Sequence, residues 1–598
     1  MDTDLQSIQE ARRLVDAAYS AWSQFEEFSE GQVETIVKAV SDAGVSHAEK
    51  LARMAVEETG FGNVPDKTAK NLFASDAVYR AIRPLRTVGI VREDPERQVI
   101  DVASPVGVIA AIVPSTNPTS TTIYKALISL KGRNGLVFSP HPSAVKSISE
   151  TVRLIAEAAE SHGAPPGLVS CMEMPTLEGT RELMGHRKIA LILATGGPGL
   201  VRAAYSAGKP AFGVGAGNVP AYIERTAAVP KAVSDILTGK CFDNGTLCSS
   251  EQSVICDEVV RDQVLAELRL QGAHICSEDE QTRLEAVIQT PRGTLNTGIV
   301  GRHASRIAEM AGIQVEQGTR ALVGFAEGVG PGHPLSMEKL SPVLAFYTVD
   351  GWEEGCRKCI EILNYGGLGH TLALHSQDQM VVRQFALKKP AFRICVNTPA
   401  ALGAVGYTTN LFPSMTLGCG AAGGNITSDN ISPLHLINLK RVAYGVRDYD
   451  APASATSSRA GATLPPGPGP QTRSMRTTRT DPDSYDNRRE IAEIVDGWLG
   501  RRAPAASLAS DTPTRHPSQP ATKPSVETIR PPLTSYAEIE PFRETSEEVS
   551  GDPVSFVCED DVRAALKSQT RIYVDGRTII TPSARDLGER EGVFIAAH

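Results

Sequence analysis

Gly107-Val108-Ile109-Ala110-Ala111-Ile112-Val113 is a short, fully apolar run that stops at Pro114-Ser115-Thr116-Asn117-Pro118. A strand with one wet face alternates polar and apolar residues. An uninterrupted apolar run of this length is a strand covered on both faces, as in a parallel sheet flanked by helices. After the turn, a helix-like segment runs to about Ser129, and Gly135-Leu136-Val137-Phe138 repeats the buried-strand signature. Ser139-Pro140-His141-Pro142 closes it, and a helix is expected from about Ser143 to His162. Leu168 to Met172 and Ile189 to Leu193 supply further strands. Strands alternating with helices specify an α/β domain with a parallel sheet.

The strand at Ile189–Leu193 runs into Ala194-Thr195-Gly196-Gly197-Pro198-Gly199-Leu200-Val201. Its glycines let the backbone approach a phosphate or nicotinamide-type ligand at a helix N-terminus. The spacing is not G-x-G-x-x-G, and a plain tight turn is the competing explanation. Upstream, residues 7–83 read as helices: Ala11, Leu14, Val15, Ala18 and Trp22 share one face, and Val33, Ile36, Val37 and Val40 another. Glu58 to Pro65 interrupts them as a loop, and Val99 to Ala103 looks like a strand. Downstream, Ala211-Phe212-Gly213-Val214-Gly215-Ala216-Gly217-Asn218-Val219-Pro220 is a second glycine-rich segment. A second α/β pattern then continues to about Val396, with a helix at Arg261–Gly272, and the folded body is expected to end near Tyr449.

Within that second pattern, Lys240 to Ser253 contains Asp243-Asn244-Gly245-Thr246-Leu247-Cys248. An Asn-Gly turn there delivers a cysteine among small polar residues, directly before the apolar run Val254-Ile255. A thiol at such a turn is open to substrate, and nearby N–H groups can face a developing negative charge. The competing explanation is plain burial, the usual fate of cysteine.

Bulk composition narrows the class. A chain of 598 residues suggests three or four domains, and its 41% hydrophobic and 22% charged content is that of a globular protein with a large core. A net charge of -9 argues against a broad nucleic-acid surface. No apolar run reaches the roughly 18 residues of a membrane span, and Met1-Asp2-Thr3-Asp4-Leu5 lacks a signal-peptide core. The ten cysteines are scattered, as in a reducing cytosol. Cys356-x-x-Cys359 is a lone pair read as structural, and no metal site is expected.

Beyond the body, residues 451–480 and 503–535 are rich in Pro, Ser, Thr, Ala and Gly, a linker composition. Between them Ile491, Ile494, Val495, Trp498 and Leu499 form one apolar stripe of a short helix within 483–502. Between two linkers such a stripe is expected to dock on a partner rather than on its own body. The final 552–598 show order again: Val554-Ser555-Phe556, a helix at Asp560–Lys567, a strand at Arg571–Val574, and a last helix opened by Thr581-Pro582.

Residues 7–449 resemble the CoA-acylating branch of the aldehyde dehydrogenase superfamily, including the aldehyde dehydrogenase half of bifunctional aldehyde–alcohol dehydrogenases and the acylating enzymes of bacterial microcompartments. The likeness rests on VPSTNPTSTTIYKALISLKGRN, FSPHP, LATGGPG, GKPAFGVGAGNVP, FDNGTLCSSEQS, EKLSPV, GLGHT and the TLGCG–GGN run. No stretch of the 598 residues resembles the iron-dependent alcohol dehydrogenase half of the bifunctional enzymes. The resemblance implies a Rossmann-like NAD-binding domain at 1–220, completed by about 405–449, and an α/β catalytic domain at 221–404. After them come a linker (450–482), the amphipathic helix (483–502), a second linker (503–551) and a small module (552–598).

By the same resemblance Cys248 is the nucleophile, and its oxyanion is held by its own backbone N–H and a donor from the Pro114–Pro118 turn. Asn117 is the chosen donor, although a gapless alignment with hydrolytic relatives puts their asparagine at Thr116. Pro114, Ser115, Thr116, Asn117, Gly197, Gly215 and Glu338 are implied around the dinucleotide, with Glu338 on the nicotinamide ribose and Leu417 near the nicotinamide ring. Hydrolytic members carry a glutamate base where Val214 stands, and no carboxylate occurs between Lys209 and Tyr222. Valine cannot activate water, so the acyl-enzyme is expected to wait for the thiol of coenzyme A. Ser139 replaces the adenosine-ribose lysine of the hydrolytic members, which leaves NADP open; NAD is expected by the habit of the family. His370 is either a structural group or one that meets CoA or substrate.

The expected reaction is oxidation of a short aldehyde, of the acetaldehyde or propionaldehyde class, by NAD+ and CoA to acyl-CoA. A hydrolytic dehydrogenase and a shell-interaction protein with secondary activity are the alternatives. A homo-oligomer is expected by analogy. The tethered helix resembles an encapsulation peptide, and Thr578 to Leu587 resembles a module of microcompartment-associated proteins. Together they imply a cytoplasmic protein in a microcompartment lumen, with shell or cargo partners bound through 483–502.

Overall fold

The computed structural model describes residues 2–447 and, further on, 554, 556–557, 559–568, 570–574, 578–580, 584–585, 587–588 and 591–596. The chain falls into two compact units, Met1–Arg459 and Ala460–His598. The two linkers at 450–482 and 503–551 and the amphipathic helix at 483–502 lie outside the described residues.

The first unit opens with helices α1 (Thr3–Phe25), α2 (Glu30–Ser46), α3 (Ala48–Thr59), α4 (Val64–Leu72) and α5 (Val78–Ile82). Their ends follow local chemistry. Ser29 and Gln32 form a reciprocal capping box on α2, Gly60 ends α3 in the left-handed region (φ 67°), and Asn63 caps α4 with a proline in its first turn. The expected apolar faces are the buried ones: Ala11, Leu14, Val15 and Ala18 on α1, and Val33, Ile36, Val37 and Val40 on α2.

Strands β1 (Gly89–Asp94) and β2 (Val99–Pro105) form an antiparallel pair that the sequence showed only in its second half. The chain then enters a five-stranded parallel sheet of β3 (Val108–Val113), β4 (Gly135–Pro140), β5 (Val169–Cys171), β6 (Ile189–Thr195) and β7 (Ala211–Val214). Its order is β5-β4-β3-β6-β7. Every residue of β3 and β4 is buried, as the unbroken apolar runs require. Helix α6 (Pro118–Lys131) is buried along its whole length. On it Lys125 Nζ donates to the carbonyls of Ile112 (2.6 Å) and Leu193 (2.8 Å), joining the ends of β3 and β6.

A seven-stranded parallel sheet follows, with β8 (Val219–Ile223), β9 (Glu251–Asp257), β10 (Ala273–Ile275), β11 (Ala321–Phe325), β12 (Val343–Val349), β13 (Gly369–His375) and β14 (Ala391–Val396). Its order is β10-β11-β12-β9-β8-β13-β14, with β9 in the middle. The change of sheet falls before Val219, two residues ahead of the 220/221 division. Strand β15 (Ile437–Ala443) returns to pair antiparallel with β2, so the C-terminal part of the body completes a separate three-stranded sheet, β1-β2-β15, rather than the five-stranded one. The body is thus an α/β architecture built on two parallel sheets, as the alternation of strands and helices requires.

In the second unit Phe556–Val557 pairs in parallel with Ile579–Ile580, and Ile572–Val574 with Phe594–Ala596. A helix at Glu559–Ser568 packs Val562 and Ala565 into a small core with Val557, Ala584 and Val593. The helix and the strand at Ile572–Val574 are where the sequence put them; Thr581–Ser583 lie outside the described residues.

Candidate active site

In the five-stranded sheet the chain winds outward from β3 in both directions, through β4 and β5 on one side and β6 and β7 on the other. Loops leaving the carboxyl ends of β3 and β6 therefore diverge and leave a crevice. A cavity of ≈ 490 Å³ opens there. Pro114, Ser115, Thr116 and Asn117 line it from the end of β3, and Thr195, Gly196 and Gly197 from the end of β6. Gly197 is the N-cap of the helix Pro198–Tyr205. Val214, Gly215, Cys248 and Glu338 also line the cavity. Seven of the expected cofactor and oxyanion residues thus share one cavity with Cys248. Leu417 does not line it; Leu417 is 1% exposed in the core, bridged to Asn430.

The cysteine is presented by a strained turn. Helix Val229–Cys241 ends, and Asp243 (φ 49°), Asn244 (φ 53°) and Gly245 (φ 75°) take the left-handed conformation in succession. Asn tolerates that region and Gly adopts it freely. Asn244 Nδ2 donates to the Gly301 carbonyl (3.0 Å), which pins the turn. Cys248 follows, three residues before β9. It is half-buried. Gly217 presses on it: a Cβ on this glycine would lie 2.0 Å from the Cys248 carbonyl oxygen, so no larger residue fits.

Burial pushes the Cys248 thiol up to about 12, and Glu338 adds to the shift; Arg393 and the Cys248 backbone N–H oppose it. The N–H that favours negative charge on sulfur is also placed to favour it on an oxygen bonded to the neighbouring carbon. His370 Nε2 lies 3.2 Å from Sγ, and its Nδ1 pairs with Thr371 Oγ1 at 2.9 Å. Burial pushes His370 down to about 3, so the imidazole is neutral at physiological pH. Glu338 Oε1 accepts the Gly217 N–H (3.0 Å), and burial raises this carboxyl to about 7. Glu338 is the one carboxylate among the described residues that line the cavity.

Asn117 is held on three sides. Its Oδ1 accepts from Lys70 Nζ (2.6 Å), and its Nδ2 donates to the Thr246 carbonyl (3.3 Å) and to Thr116 Oγ1 (3.2 Å). Lys70 and Lys67, both on α4, meet Asp243 Oδ2 in the buried turn, Lys67 at 2.9 Å. Lys67 Nζ also donates to the Thr116 carbonyl (2.9 Å). Asp243 accepts further from Thr246 Oγ1 (2.6 Å) and Asn63 N (2.9 Å).

The family model described as "Aldehyde dehydrogenase family" matches residues 2–408. The chain belongs to the aldehyde dehydrogenase family. Among curated relatives, the bifunctional aldehyde-alcohol dehydrogenase of Escherichia coli (strain K12) is 43% identical over 442 residues, 73% of this chain and 50% of the relative. The chain thus spans about half the length of that relative. Among solved structures, an acetylating aldehyde dehydrogenase from Geobacillus thermoglucosidasius is 51% identical with a TM-score of 0.75, covering 75% of this chain and 100% of that one. A propionaldehyde dehydrogenase from the Clostridium phytofermentans fucose utilisation bacterial microcompartment is 31% identical with a TM-score of 0.66, covering 73% and 97%.

For this aldehyde dehydrogenase, sequence reasoning left three site residues unused. His370 was weighed and given no assigned role; a histidine beside a glycine at a strand start carries no signal of which thiol it meets. Lys67 and Lys70 were passed over entirely. Their signal was present: Lys67, Lys70 and Asn71 occupy i, i+3 and i+4 of α4, and all three are buried. A second group, His274, Cys276 and Glu280, brings ligand-type atoms within 4.8 Å of one another. There Glu280 Oε2 already serves the capping box of the helix Glu278–Ile288 through Ser277, at the helix end whose dipole disfavours a cation. Cys356 and Cys359 are both buried in the core against the seven-stranded sheet.

Proposed function

We propose that this chain is a CoA-acylating aldehyde dehydrogenase that converts a short aldehyde, of the acetaldehyde or propionaldehyde class, to its acyl-CoA with NAD+ as oxidant. The observation that carries it is the cavity's lining. Valine occupies position 214 and cannot activate water, and Glu338, the one lining carboxylate among the described residues, is engaged through Oε1 with the Gly217 N–H.

The residues fit a dinucleotide. Gly196 and Gly197 open the helix Pro198–Tyr205 at a topological switch point, and nothing lies within 4 Å of where a Cβ of Gly197 or Gly215 would be. NAD+, when bound, supplies the acceptor for the aldehyde's hydrogen and its electron pair. Pro114, Ser115, Thr116, Gly197, Gly215 and Glu338 would hold it, while the position of Leu417 in the core argues against contact with the nicotinamide ring.

Neutral His370 takes the Sγ proton as the sulfur adds to the carbonyl carbon. The new alkoxide is met by the Cys248 N–H and Asn117 Nδ2. When the C–H electron pair leaves, the alkoxide collapses to a thioester on Cys248. His370 passes the Cys248 proton on to solvent, the H+ of the overall reaction. With no base at position 214, water is a poor attacker, and the CoA thiol adds instead, its proton going to the His370 imidazole. Collapse of that second tetrahedral centre breaks the Cys248 C–S bond and frees acyl-CoA, and the Cys248 thiolate takes the proton back from His370.

The acetylating relative at 51% identity supports this chemistry. The microcompartment origin of a second relative supports placement in such a compartment, with residues 483–502 docking on shell or cargo. Exposed Ile90, Leu439 and Val442 on the three-stranded sheet suit an interface in a homo-oligomer.

The test is NADH formation from acetaldehyde and from propionaldehyde, with and without CoA, in wild type and Cys248→Ala. CoA-dependent NADH that disappears in the variant is expected. Equal turnover without CoA would establish a hydrolytic enzyme and remove the role of Val214.

A further inference from the structure

Asn117 has two ends of opposite character, and its usefulness to an oxyanion depends on which one faces the reacting carbon. The amide nitrogen donates; the amide oxygen would repel an alkoxide. We propose that Lys70 is a positioning residue that fixes the Asn117 amide with its nitrogen toward the Cys248 turn, and that Asp243 and Lys67 hold Lys70 in place to do so. The inference rests on Cys248 and Asn117 acting as described under the proposed function.

The geometry is explicit. An ammonium has donors and no acceptor, so the atom 2.6 Å from Lys70 Nζ must be Oδ1. That fixes Nδ2 on the opposite side, against the Thr246 carbonyl two residues before Cys248. The two bonds Nδ2 makes, at 3.2 and 3.3 Å, are long for N–H···O. A charged alkoxide is the stronger acceptor and would draw one of those hydrogens away. A cation on the amide oxygen also polarises the group and strengthens its N–H as a donor.

The cluster ties three elements into one frame. Helix α4 contributes Lys67 and Lys70, the left-handed turn contributes Asp243, and the loop after β3 contributes the Thr116 carbonyl and Asn117. Two buried lysines share the buried Asp243 carboxylate, and Asp66, which accepts the Asp243 N–H, adds its attraction to Lys70. Lys70 also reaches past these carboxylates to Asn117, a residue that lines the cavity.

A double-mutant cycle on the full chain tests this, with two readouts: the pre-steady-state burst of NADH, and the rate of Cys248 alkylation by iodoacetamide. Asn117→Ala is expected to slow the burst by roughly 10²- to 10³-fold, the cost of one oxyanion donor. Lys70→Met is expected to slow it by roughly 10- to 100-fold, and the double variant to match Asn117→Ala within about twofold, because Lys70 has nothing left to orient. Alkylation is expected to stay near wild type in all three.

Losses that multiply in the double variant would overturn the positioning role while leaving Asn117 as donor. Alkylation that falls in parallel with the burst would show that Lys70 merely supports the turn, and would overturn it too. An Asn117→Ala variant with a wild-type burst would remove the donor itself and the inference with it, without touching the CoA dependence of turnover. Should Lys70→Met not fold, Lys70→Gln keeps a donor without the charge, and the same cycle applies.

Discussion

A thiol pushed up to about 12 is almost wholly protonated at neutral pH, so Cys248 is a nucleophile only when something takes its proton. His370 Nε2, 3.2 Å from Sγ, is the acceptor that the proposed function assigns. Glu338 works against it, since a carboxylate near sulfur disfavours a second negative charge. Removing that charge lowers the thiol pKa and raises the thiolate fraction at any given pH. Glu338→Gln is therefore expected to shift the pH profile of Cys248 alkylation toward lower pH, read from rates between about pH 6 and 10; a shift upward would contradict the sign. At this scale the sequence was half legible. Cys248 and Glu338 sit in short, dense motifs, and all of the cavity's glycines were found. Leu417 was misplaced, because an apolar residue beside a glycine run looks the same in a core as at a ligand. Lys67 and Lys70 escaped because a lysine pair on a helix reads as a solvated face unless the carboxylate it meets, here 173 to 176 residues away in the chain, is already in hand.

The elements carry charge as well as shape. Asp243 lies in a turn that already spends backbone strain, yet it anchors α4 and the loop after β3. Asp243→Asn would remove the carboxylate that both buried lysines meet, a change expected to cost about 3–5 kcal/mol. Urea unfolding of the two proteins measures it. The pH dependence has a fixed sign. Burial lowers Lys70 to about 8, below its value in an unfolded chain, so the unfolded state binds the extra proton and stability rises with pH from about 8 to about 10.5. Periodicity located α1 and α2, and unbroken apolar runs located β3 and β4, because burial on one face or both leaves a direct trace. Strand β1 left none: four of its six residues are exposed and the other two only half-buried, so Gly89–Asp94 has no apolar face to read. The pairing of β15 with β2 was likewise hidden, since antiparallel partners over 330 residues apart share no local signal.

At the scale of the whole molecule, every residue assigned to the site lies within Met1–Arg459. Deleting residues 451–598 is expected to leave CoA-dependent turnover intact and to abolish association with a compartment; loss of turnover on deletion would make the two units functionally inseparable. The body was legible in outline because one departure, Val214, is visible only against a family pattern that the motifs themselves announce.

Four residues, Gly215 to Asn218, carry the chain from β7 in one sheet to β8 in the other, and Gly217 rests against the Cys248 carbonyl on the way. A strap that short, seated on the backbone of Cys248, ties the cysteine's position to the joint between the two sheets: any side chain added at residue 217 would push strap and cysteine apart.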